Sequence, residues 1–523
     1  MALPTPIALR KMSSVNPATG EVLREWACAG DSEVLAAVER ARVAQHAWRE
    51  LGVRKRITLL RDFQHRLHER KLQIAQAVTR EEGKPVAEAL TTEVLVVLDA
   101  ARFLIDNSFR LLNDEPLPHG NLATKLKRGT LVREPYGVIG IISPWNYPFS
   151  IPATETLAAL VAGNAVVLKP SEFTSLVALE LQSVLYAAGV PKDVFQVIVG
   201  DGLTGAALLH SPIDKLVFTG SLATGKRIAV EAAEKLLPVV LELGGKDPML
   251  VLDDADIDVA SSAAVWGAFM NAGQACLSVE RCYVHRSLYQ PFLTACAQKT
   301  KKLRVASGTN PETDVGPLIH QRQLQVVEAH VQDAIARGAR VVVGGTALPE
   351  LGPNFYKPTV LADVTHEMRI MREETFGPVL PVMAFEDDEE ALHLANDSEF
   401  GLAASIWTRN RRRGERLARR IQAGTVMVND LISCFGISEA PHGGTKSSGM
   451  GRAHGRFGLE EMVWLKYVDS DLMPEMKKVW WYGYGTRFAQ QMEGFLDLQF
   501  ARKLGARLNG ALRSAGVIRR KRL

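Results

Sequence analysis

Apolar positions in the first eighty residues recur every three or four places. Val34, Leu35, Val38 and Ala41 mark one helical face behind Ser32, which reads as an N-cap. Leu59, Leu60, Phe63, Leu67, Ile74 and Val78 predict a second helix over roughly Lys55 to Glu82. From Gly137 the pattern changes. Short runs rich in Val and Ile (Val138–Ile142, Ala165–Leu168, Val194–Val199, Leu216–Phe218, Val239–Leu241) alternate with helix-like segments (Pro152–Ala162, Thr174–Ala188, Leu203–His210, Thr224–Lys235). Continuous apolar strands separated by helices predict an α/β fold with a parallel sheet covered on both faces. Rossmann-like sheets of this kind bind nucleotides at the carboxyl ends of their strands.

A second α/β region is expected from about Gly244 to Met427, with strands at Val341–Val343, Val379–Val382, Ala404–Trp407 and Thr425–Val428. No internal repeat or low-complexity linker separates the two regions, so they should pack closely. Gly443, Gly444, Gly449 and Gly451 mark a loop after the second region. In the tail, Phe488, Met492, Phe495, Leu496, Phe500, Leu504, Leu508 and Leu512 recur mostly every three or four residues among Arg487, Arg502, Lys503, Arg507 and Arg513. This predicts a basic amphipathic helix, preceded by Trp480-Trp481-Tyr482 and ended by Arg519-Arg520-Lys521-Arg522.

Composition narrows the class. A chain of 523 residues exceeds one simple core, and 47% hydrophobic with 23% charged residues is ordinary for a globular protein. The net charge of +4 hides an asymmetry: residues 475–523 carry eleven Lys/Arg against three Asp/Glu, which leaves −4 on the remainder. Nothing there indicates nucleic-acid binding by the whole protein. The five cysteines, Cys28, Cys276, Cys282, Cys296 and Cys434, form no CxxC pair and have no histidine cluster at ligand spacing. No metal site is expected, and a reducing, cytoplasmic location is. Met1 to Ser14 lacks the apolar core of a secretory signal. The most apolar stretch, Gly137 to Leu168, is too interrupted by Pro144, Asn146, Pro148, Pro152 and Glu155 to span a membrane.

Five segments carry candidate chemistry. Asn271-Ala-Gly-Gln-Ala-Cys276 surrounds a thiol with small residues that leave room for a substrate; a lone cysteine there also reads as a small buried hydrophobe. Glu242 ends an apolar run between Leu241 and Leu243, where burial would raise its pKa toward that of a usable base; a solvated strand edge or helix cap is the plainer reading. Asn146 stands between Pro144 and Pro148, either as a turn residue or as a rigid amide donor to an oxyanion. Lys169 and Glu172 close the next strand, as a ribose clamp or a surface salt bridge. Gly220 to Gly225 is a glycine-rich turn entering a helix, a weak phosphate signal.

Taken together and in this order, these segments resemble the aldehyde dehydrogenase superfamily from about Asn16 to Val468. The spacing of Glu242 to Cys276 and of Asn146 to Lys169 matches the family pattern. So do Glu373-Glu374-Thr-Phe376-Gly377-Pro378, Phe400-Gly401-Leu402-Ala403 and Pro441-His-Gly-Gly444-Thr-Lys446-Ser-Ser-Gly449-Met-Gly451-Arg452. The resemblance implies that Cys276 attacks the aldehyde to form a thiohemiacetal, with the Asn146 amide and the Cys276 N–H binding the oxyanion. Hydride then passes to NAD, and Glu242 activates water to hydrolyse the thioester. Nearby positive charge and helix dipoles could lower the thiol pKa. The cofactor residues implied are Ser143, Pro144, Trp145, Asn146, Lys169, Ser171, Glu172, Gly220, Ser221, Gly225, Leu243, Gly244, Glu374 and Phe376. A carboxylate at Glu172 favours NAD over NADP, which stays possible. Tyr147, Ile151, Leu277 and Phe435 are expected to line the substrate tunnel, suiting an apolar aliphatic or aromatic aldehyde. Val279-Glu280-Arg281 is similar to some succinate-semialdehyde enzymes, and whether Arg281 faces the tunnel is open.

The resemblance divides the chain into a cofactor-binding domain (1–118 and 136–243), a catalytic domain (244–440), oligomerisation strands with a closing loop (119–135 and 441–470) and the basic tail (471–523). A homodimer or tetramer is expected. The tail extends about fifty residues past the usual family end, similar in position to that of the membrane-associated fatty-aldehyde branch. Peripheral contact of 475–523 with an anionic membrane and packing on protein are the two readings of its pattern. A catalytically silent binding protein and a thiol esterase are the alternatives of other classes. The first would show decay at Cys276, Glu242, Asn146 or Lys169, and all four are present.

Overall fold

The computed structural model describes residues 10–478 and 480–516. Two compact units form, Met1–Leu112 with Pro135–Val463, and Asn113–Glu134 with Trp464–Leu523. The first unit holds both α/β regions. Its first sheet contains β1 (Val138–Ile142), β2 (Ala165–Lys169), β3 (Phe195–Val197), β4 (Lys215–Thr219) and β5 (Val239–Glu242), in the order β5-β4-β1-β2-β3, all parallel. Nearly every residue of β1, β2 and β4 is buried because helices cover both faces, which is why these strands read as unbroken apolar runs. The short strand Gly449–Met450 adds antiparallel to β5 and sets Gly449 opposite Glu242.

The second sheet contains β6 (Asp247–Val251), β7 (Val279–His285), β8 (Arg340–Val343), β9 (Thr359–Ala362), β10 (Val379–Phe385), β11 (Ala403–Trp407) and β12 (Thr425–Val428). Its order is β8-β9-β10-β7-β6-β11-β12, parallel except at the β8–β9 edge. The sequence pattern signals neither β6 nor β7, although they are its centre. Both begin in polar residues, Asp247, Glu280 and Arg281, which are nevertheless buried.

Three helical expectations need correction. The first helix, Asp31–Glu50, starts one residue before Ser32. Its N-cap is Gly30, whose N–H donates to the Glu33 carboxylate at 2.9 Å. The second expected helix is two, Val53–Glu69 and Lys71–Glu82. They break at Arg70, whose guanidinium reaches Glu180 at 2.5 Å and Ser183 at 3.0 Å on the helix Ser175–Ala187. The tail, within the second unit, is a hairpin of two helices, Thr486–Phe500 and Leu504–Ser514, rather than one. They meet through small residues: a Cβ at Gly510 would come within 2.5 Å of the Gly494 carbonyl oxygen. Arg513 pairs with Asp497, and Gln491 donates to the Ala515 carbonyl at 3.3 Å. The leucines of the second helix therefore point away from the first, leaving Leu504, Leu508 and Leu512 72%, 61% and 77% exposed. The run Arg519 to Arg522 lies outside the described residues.

The second unit also holds a three-stranded sheet in the order Val463–Asp471, Lys127–Pro135, Glu115–Leu117. Lys466 pairs with Glu134 at 2.7 Å, and Lys127 pairs with Asp469. No described helix is long and apolar enough to cross a membrane.

Candidate active site

The turn after β1 carries Asn146, and a buried ion pair holds that turn. Lys84 and Glu93 are 2.9 Å apart with both side chains fully buried. Lys84 Nζ also donates to the Asn146 carbonyl at 2.8 Å and sits 4.0 Å from the centre of the Tyr147 ring. Glu93 accepts from the N–H groups of Phe149 at 3.1 Å and Ser150 at 2.6 Å, the start of the helix Ser150–Ala162. A carboxylate there meets both unpaired N–H groups and the positive end of the helix dipole. Glu93 is aimed at this point by a π-helical turn, Leu90–Val94. Burial pushes the neighbouring Glu82 and Glu88 up to about 8 and about 7. Burial lowers the Lys84 pKa, but Glu93 and Glu82 more than offset this, and it ends above its usual value.

Cys276 follows a backbone that only small or polar residues tolerate. Asn271, Ala272 and Gly273 all have positive φ (50°, 53° and 73°). A Cβ at Gly273 would lie 2.1 Å from the Gly377 carbonyl oxygen, so glycine is obligatory there. Asn146 Nδ2 donates to the Gln274 carbonyl at 3.0 Å, and Asn271 Nδ2 donates to the Asn146 carbonyl at 2.9 Å. The amide of Asn146 is thus tied to the cysteine loop.

Glu242 ends β5 and, with Cys276, lines one cavity of about 210 Å³. Tyr147, Ile151, Leu277 and Phe435 line it, with Leu243, Trp266, Met270 and Ile432. Neither carboxylate oxygen of Glu242 has a hydrogen-bond partner; His442 Nε2 is 3.9 Å away. Burial, and secondarily Glu155, hold the Glu242 pKa well above the ordinary carboxylate range. The loop that walls this side needs its glycines: a Cβ at Gly443 would come within 2.9 Å of Glu242 Oε1, and one at Gly449 within 2.0 Å of the Leu241 carbonyl oxygen.

The groups of the chain itself do not lower the thiol pKa. Burial raises the Cys276 pKa well above the usual thiol value, and Asp247, Glu374 and Glu242 raise it further. Cys434 adds to the rise, and all of these influences act upward. Arg281 is likewise settled: it is buried and donates to the carbonyls of Lys246 (2.7 Å), Leu394 (2.9 Å) and Ala395 (2.9 Å), and it does not line the cavity.

A separate crevice of about 710 Å³ opens at the carboxyl ends of β1, β2 and β4. Ser143, Pro144, Trp145, Lys169, Ser171, Glu172, Gly220 and Ser221 line it. Lys169 Nζ lies 3.6 Å from Glu172 Oε2, and burial lowers the Lys169 pKa. Ser221 caps the helix Leu222–Glu234, accepting from the Thr224 N–H at 3.4 Å. Gly225 stands behind this wall, where a Cβ would meet Leu243 at 2.4 Å. A Cβ at Gly244 would likewise meet Glu374 at 2.5 Å; that carboxylate accepts from the Gly245 N–H at 3.1 Å and is pushed up to about 8 by burial. Phe376 packs edge-on against Trp145 at 5.4 Å. Ser143 Oγ is buried without a partner in this crevice. An orphaned hydroxyl, a buried lysine and a capped helix start suit a polar, phosphate-bearing ligand.

A model of the aldehyde dehydrogenase family matches residues 6–468. The chain belongs to the aldehyde dehydrogenase family. Among its relatives is 4,4'-diapolycopene aldehyde oxidase of Methylomonas sp, 39% identical over 486 residues, covering 93% of this chain and 91% of that protein. Mitochondrial succinate-semialdehyde dehydrogenase of Arabidopsis thaliana is 39% identical over 456 residues, covering 87% and 85%. Among solved structures, the NAD+ complex of an aldehyde dehydrogenase from Bacillus cereus superposes with a TM-score of 0.85 at 35% identity, covering 88% of this chain and 94% of that one. An NADP-dependent enzyme of E. coli gives 0.84 at 36% identity, covering 88% and 95%. The expected family and the α/β parallel-sheet fold are borne out.

Sequence reasoning missed Lys84, Glu93, Glu155, His442 and His454. Two signals were present: Glu82-Gly83-Lys84-Pro85 sets a charge directly beside a helix-ending glycine, and His442 lies inside the motif Pro441 to Arg452. Lys84→Met should lower stability by about 3–5 kcal/mol, because it strands the Glu93 carboxylate in the interior. Pairing it with Glu93→Gln should restore part of that loss. Urea unfolding of the parent and the two variants checks this, and a Lys84→Met protein as stable as the parent would refute it.

Proposed function

We propose that this family member oxidises an apolar aldehyde to its carboxylic acid through a covalent adduct on Cys276. What carries the reading is the placement of the Cys276 thiol and the unpartnered Glu242 carboxylate on the walls of one apolar cavity. Cys276 Sγ adds to the aldehyde carbon, and the carbonyl oxygen becomes an oxyanion that takes hydrogen bonds from the Asn146 amide and the Cys276 N–H. For the Asn146 amide this means using the N–H not engaged by Gln274. After oxidation of the thiohemiacetal to a thioester, Glu242 removes a proton from water, and the water oxygen attacks the acyl carbon and expels the thiolate. A raised pKa makes the Glu242 carboxylate a stronger base for this step.

The crevice at 143–145, 169–172 and 220–221 would hold NAD, which supplies the hydride acceptor and, when oxidised, a positively charged ring. Lys169 and Glu172 would bind the adenosine ribose, and Ser221 with the helix start behind it the pyrophosphate. Glu374 and Phe376, set by Gly245 and Trp145, would position the nicotinamide end. A carboxylate at Glu172 repels a 2′-phosphate and so favours NAD.

The cavity wall favours the apolar substrate class over succinate semialdehyde. Its ionisable side chains are two carboxyls, one thiol, a tyrosine and two histidines, with no lysine or arginine to pair a substrate carboxylate. Arg281 is spent on carbonyls elsewhere. The residue divisions given above by resemblance are proposed to hold, with subunits pairing into a homodimer or tetramer. The exposed Trp464, Leu465, Tyr467 and Val468 on the strand Val463–Asp471 support that interface. All five cysteines are free, which supports a cytoplasmic location. The outward leucines of the tail hairpin, its neighbouring Trp480 and Trp481, and the basic excess of 475–523 support peripheral contact with an anionic bilayer.

Three measurements test these statements. With NAD, decanal or benzaldehyde should produce reduced nicotinamide absorbance at far lower concentration than succinate semialdehyde, and Cys276→Ala should abolish the signal; activity surviving in Cys276→Ala would end the reading. Glu172→Ser should raise the kcat/KM ratio of NADP to NAD by about tenfold or more, the scale of one lost charge repulsion, and an unchanged ratio would remove Glu172 from the cofactor site. Vesicles containing phosphatidylglycerol should sediment the full chain but not a chain ending at residue 474, and equal sedimentation of both refutes the membrane contact.

A further inference from the structure

The tunnel has one polar corner that the reading above leaves unused. Glu155, on the helix Ser150–Ala162, lines the same cavity as Glu242 and is 4% exposed. Its Oε1 accepts from Thr219 Oγ1 at 3.1 Å, and Thr219 pairs with Glu242 across β4 and β5. Its Oε2 is buried with no partner. His454 lines the cavity too, with a buried and unpartnered Nδ1. Its ring lies 5.7 Å from that of His442 and 4.7 Å from that of Phe435.

The backbone of His454 is a second observation. It sits at φ 60° and ψ 163°, a region that glycine adopts and side-chain-bearing residues avoid. A histidine held there against its own backbone preference puts an imidazole on the cavity wall. Burial pushes His454 down to about 4 and His442 to about 3, so both rings are neutral near pH 7. Burial pushes Glu155 up to about 8. The corner is therefore polar without being charged.

Four orphaned atoms belong to residues lining this cavity: two of Glu242, one of Glu155 and one of His454. Buried polar atoms need partners, and a water satisfies two to four of them. Behind the corner lies a second cavity of about 30 Å³, which Thr154, Glu155, Ala453 and His454 also line. That volume suffices for a water. An apolar acyl chain on Cys276 fills the main tunnel and shuts out water from that side, so deacylation needs a supply elsewhere.

We propose that Glu155 and His454 are positioning residues that hold the water which Glu242 deprotonates, fed from this second cavity. The proposal rests on the reading of Glu242 as the hydrolytic base. Deacylation breaks one water O–H bond and the acyl C–S bond and forms an acyl C–O bond. The proton goes to Glu242, and the electron pair of the C–S bond leaves on the Cys276 sulfur. Glu155 and His454 accept or donate hydrogen bonds to that water and are themselves unchanged.

Rapid mixing of the full chain with NAD and decanal tests this. In Glu155→Leu and His454→Gly the first turnover of reduced nicotinamide should form within about twofold of the parent rate, as a burst of one per active site. The steady-state rate should then fall at least tenfold, and hydroxylamine, which cleaves the thioester without that water, should restore it. Glycine at 454 fits the local backbone, so His454→Gly keeps its fold and its melting temperature does not drop. Burst and steady state falling together, or both unchanged, overturns the proposal. Absence of any first turnover in the parent chain would instead overturn the Cys276 reading itself.

Discussion

The buried Lys84–Glu93 pair is the constraint on which the site depends. Removing two charges from water is costly, and their mutual attraction offsets that cost only when the remaining hydrogen-bonding capacity is also used. Here it is used on the backbone: Lys84 binds the Asn146 carbonyl, and Glu93 binds two N–H groups at the start of the helix Ser150–Ala162. The pair therefore pins both ends of the turn 146–150 to the helical layer 71–112. Asn146 then reaches the cysteine loop through Gln274, and Asn271 of that loop reaches back. Three segments far apart in sequence are fixed as one unit by a buried ion pair and the amide hydrogen bonds that continue from it.

A second constraint is close approach. The loop 443–451 lies against the end of β5, and the loop before Cys276 lies against Gly377, at separations that exclude a Cβ. The glycines of the sequence were legible as loop markers, but what they approach was not, because the partner backbone comes from another part of the chain. The same limit explains the strands. Strands β1 to β5 were readable because both faces are covered and the apolar runs are unbroken. β7 was not, because Glu280 and Arg281 suggest a solvated stretch. In the fold Glu280 is neutralised by Lys246 at 2.7 Å and by the N–H groups of Thr375 and Phe376, and Arg281 by three carbonyls. Pairing partners, not composition, make such residues interior.

The tail shows how periodicity can be right and its interpretation incomplete. Leu504, Leu508 and Leu512 do share a helix face, yet the hairpin closes through Gly494 and Gly510 on the opposite side. The small residues, not the apolar stripe, mark where two helices meet. A heptad-like stripe says which side is apolar and leaves open what covers it. Here the helix partner takes the small face, so the stripe is left for something other than this hairpin.

Cys276 is where sequence expectation and structure differ most, and the difference bears on how the site would operate. The cysteine motif was legible, and so was its partner Glu242. The electrostatic setting was not, because the shifting groups Asp247 and Glu374 come from β6 and from the segment before β10. Burial makes the thiol harder to ionise, and each ionised carboxyl near it adds to that. The same burial raises Asp247, Glu242 and Glu374, so the carboxylate forms that repel a thiolate are themselves disfavoured there. On the proposed reading, oxidised nicotinamide would bring a positive charge to a thiol whose own charged neighbours are acidic. Thiolate formation would then be tied to cofactor binding, and the nucleophile would stay a thiol until a hydride acceptor is in place.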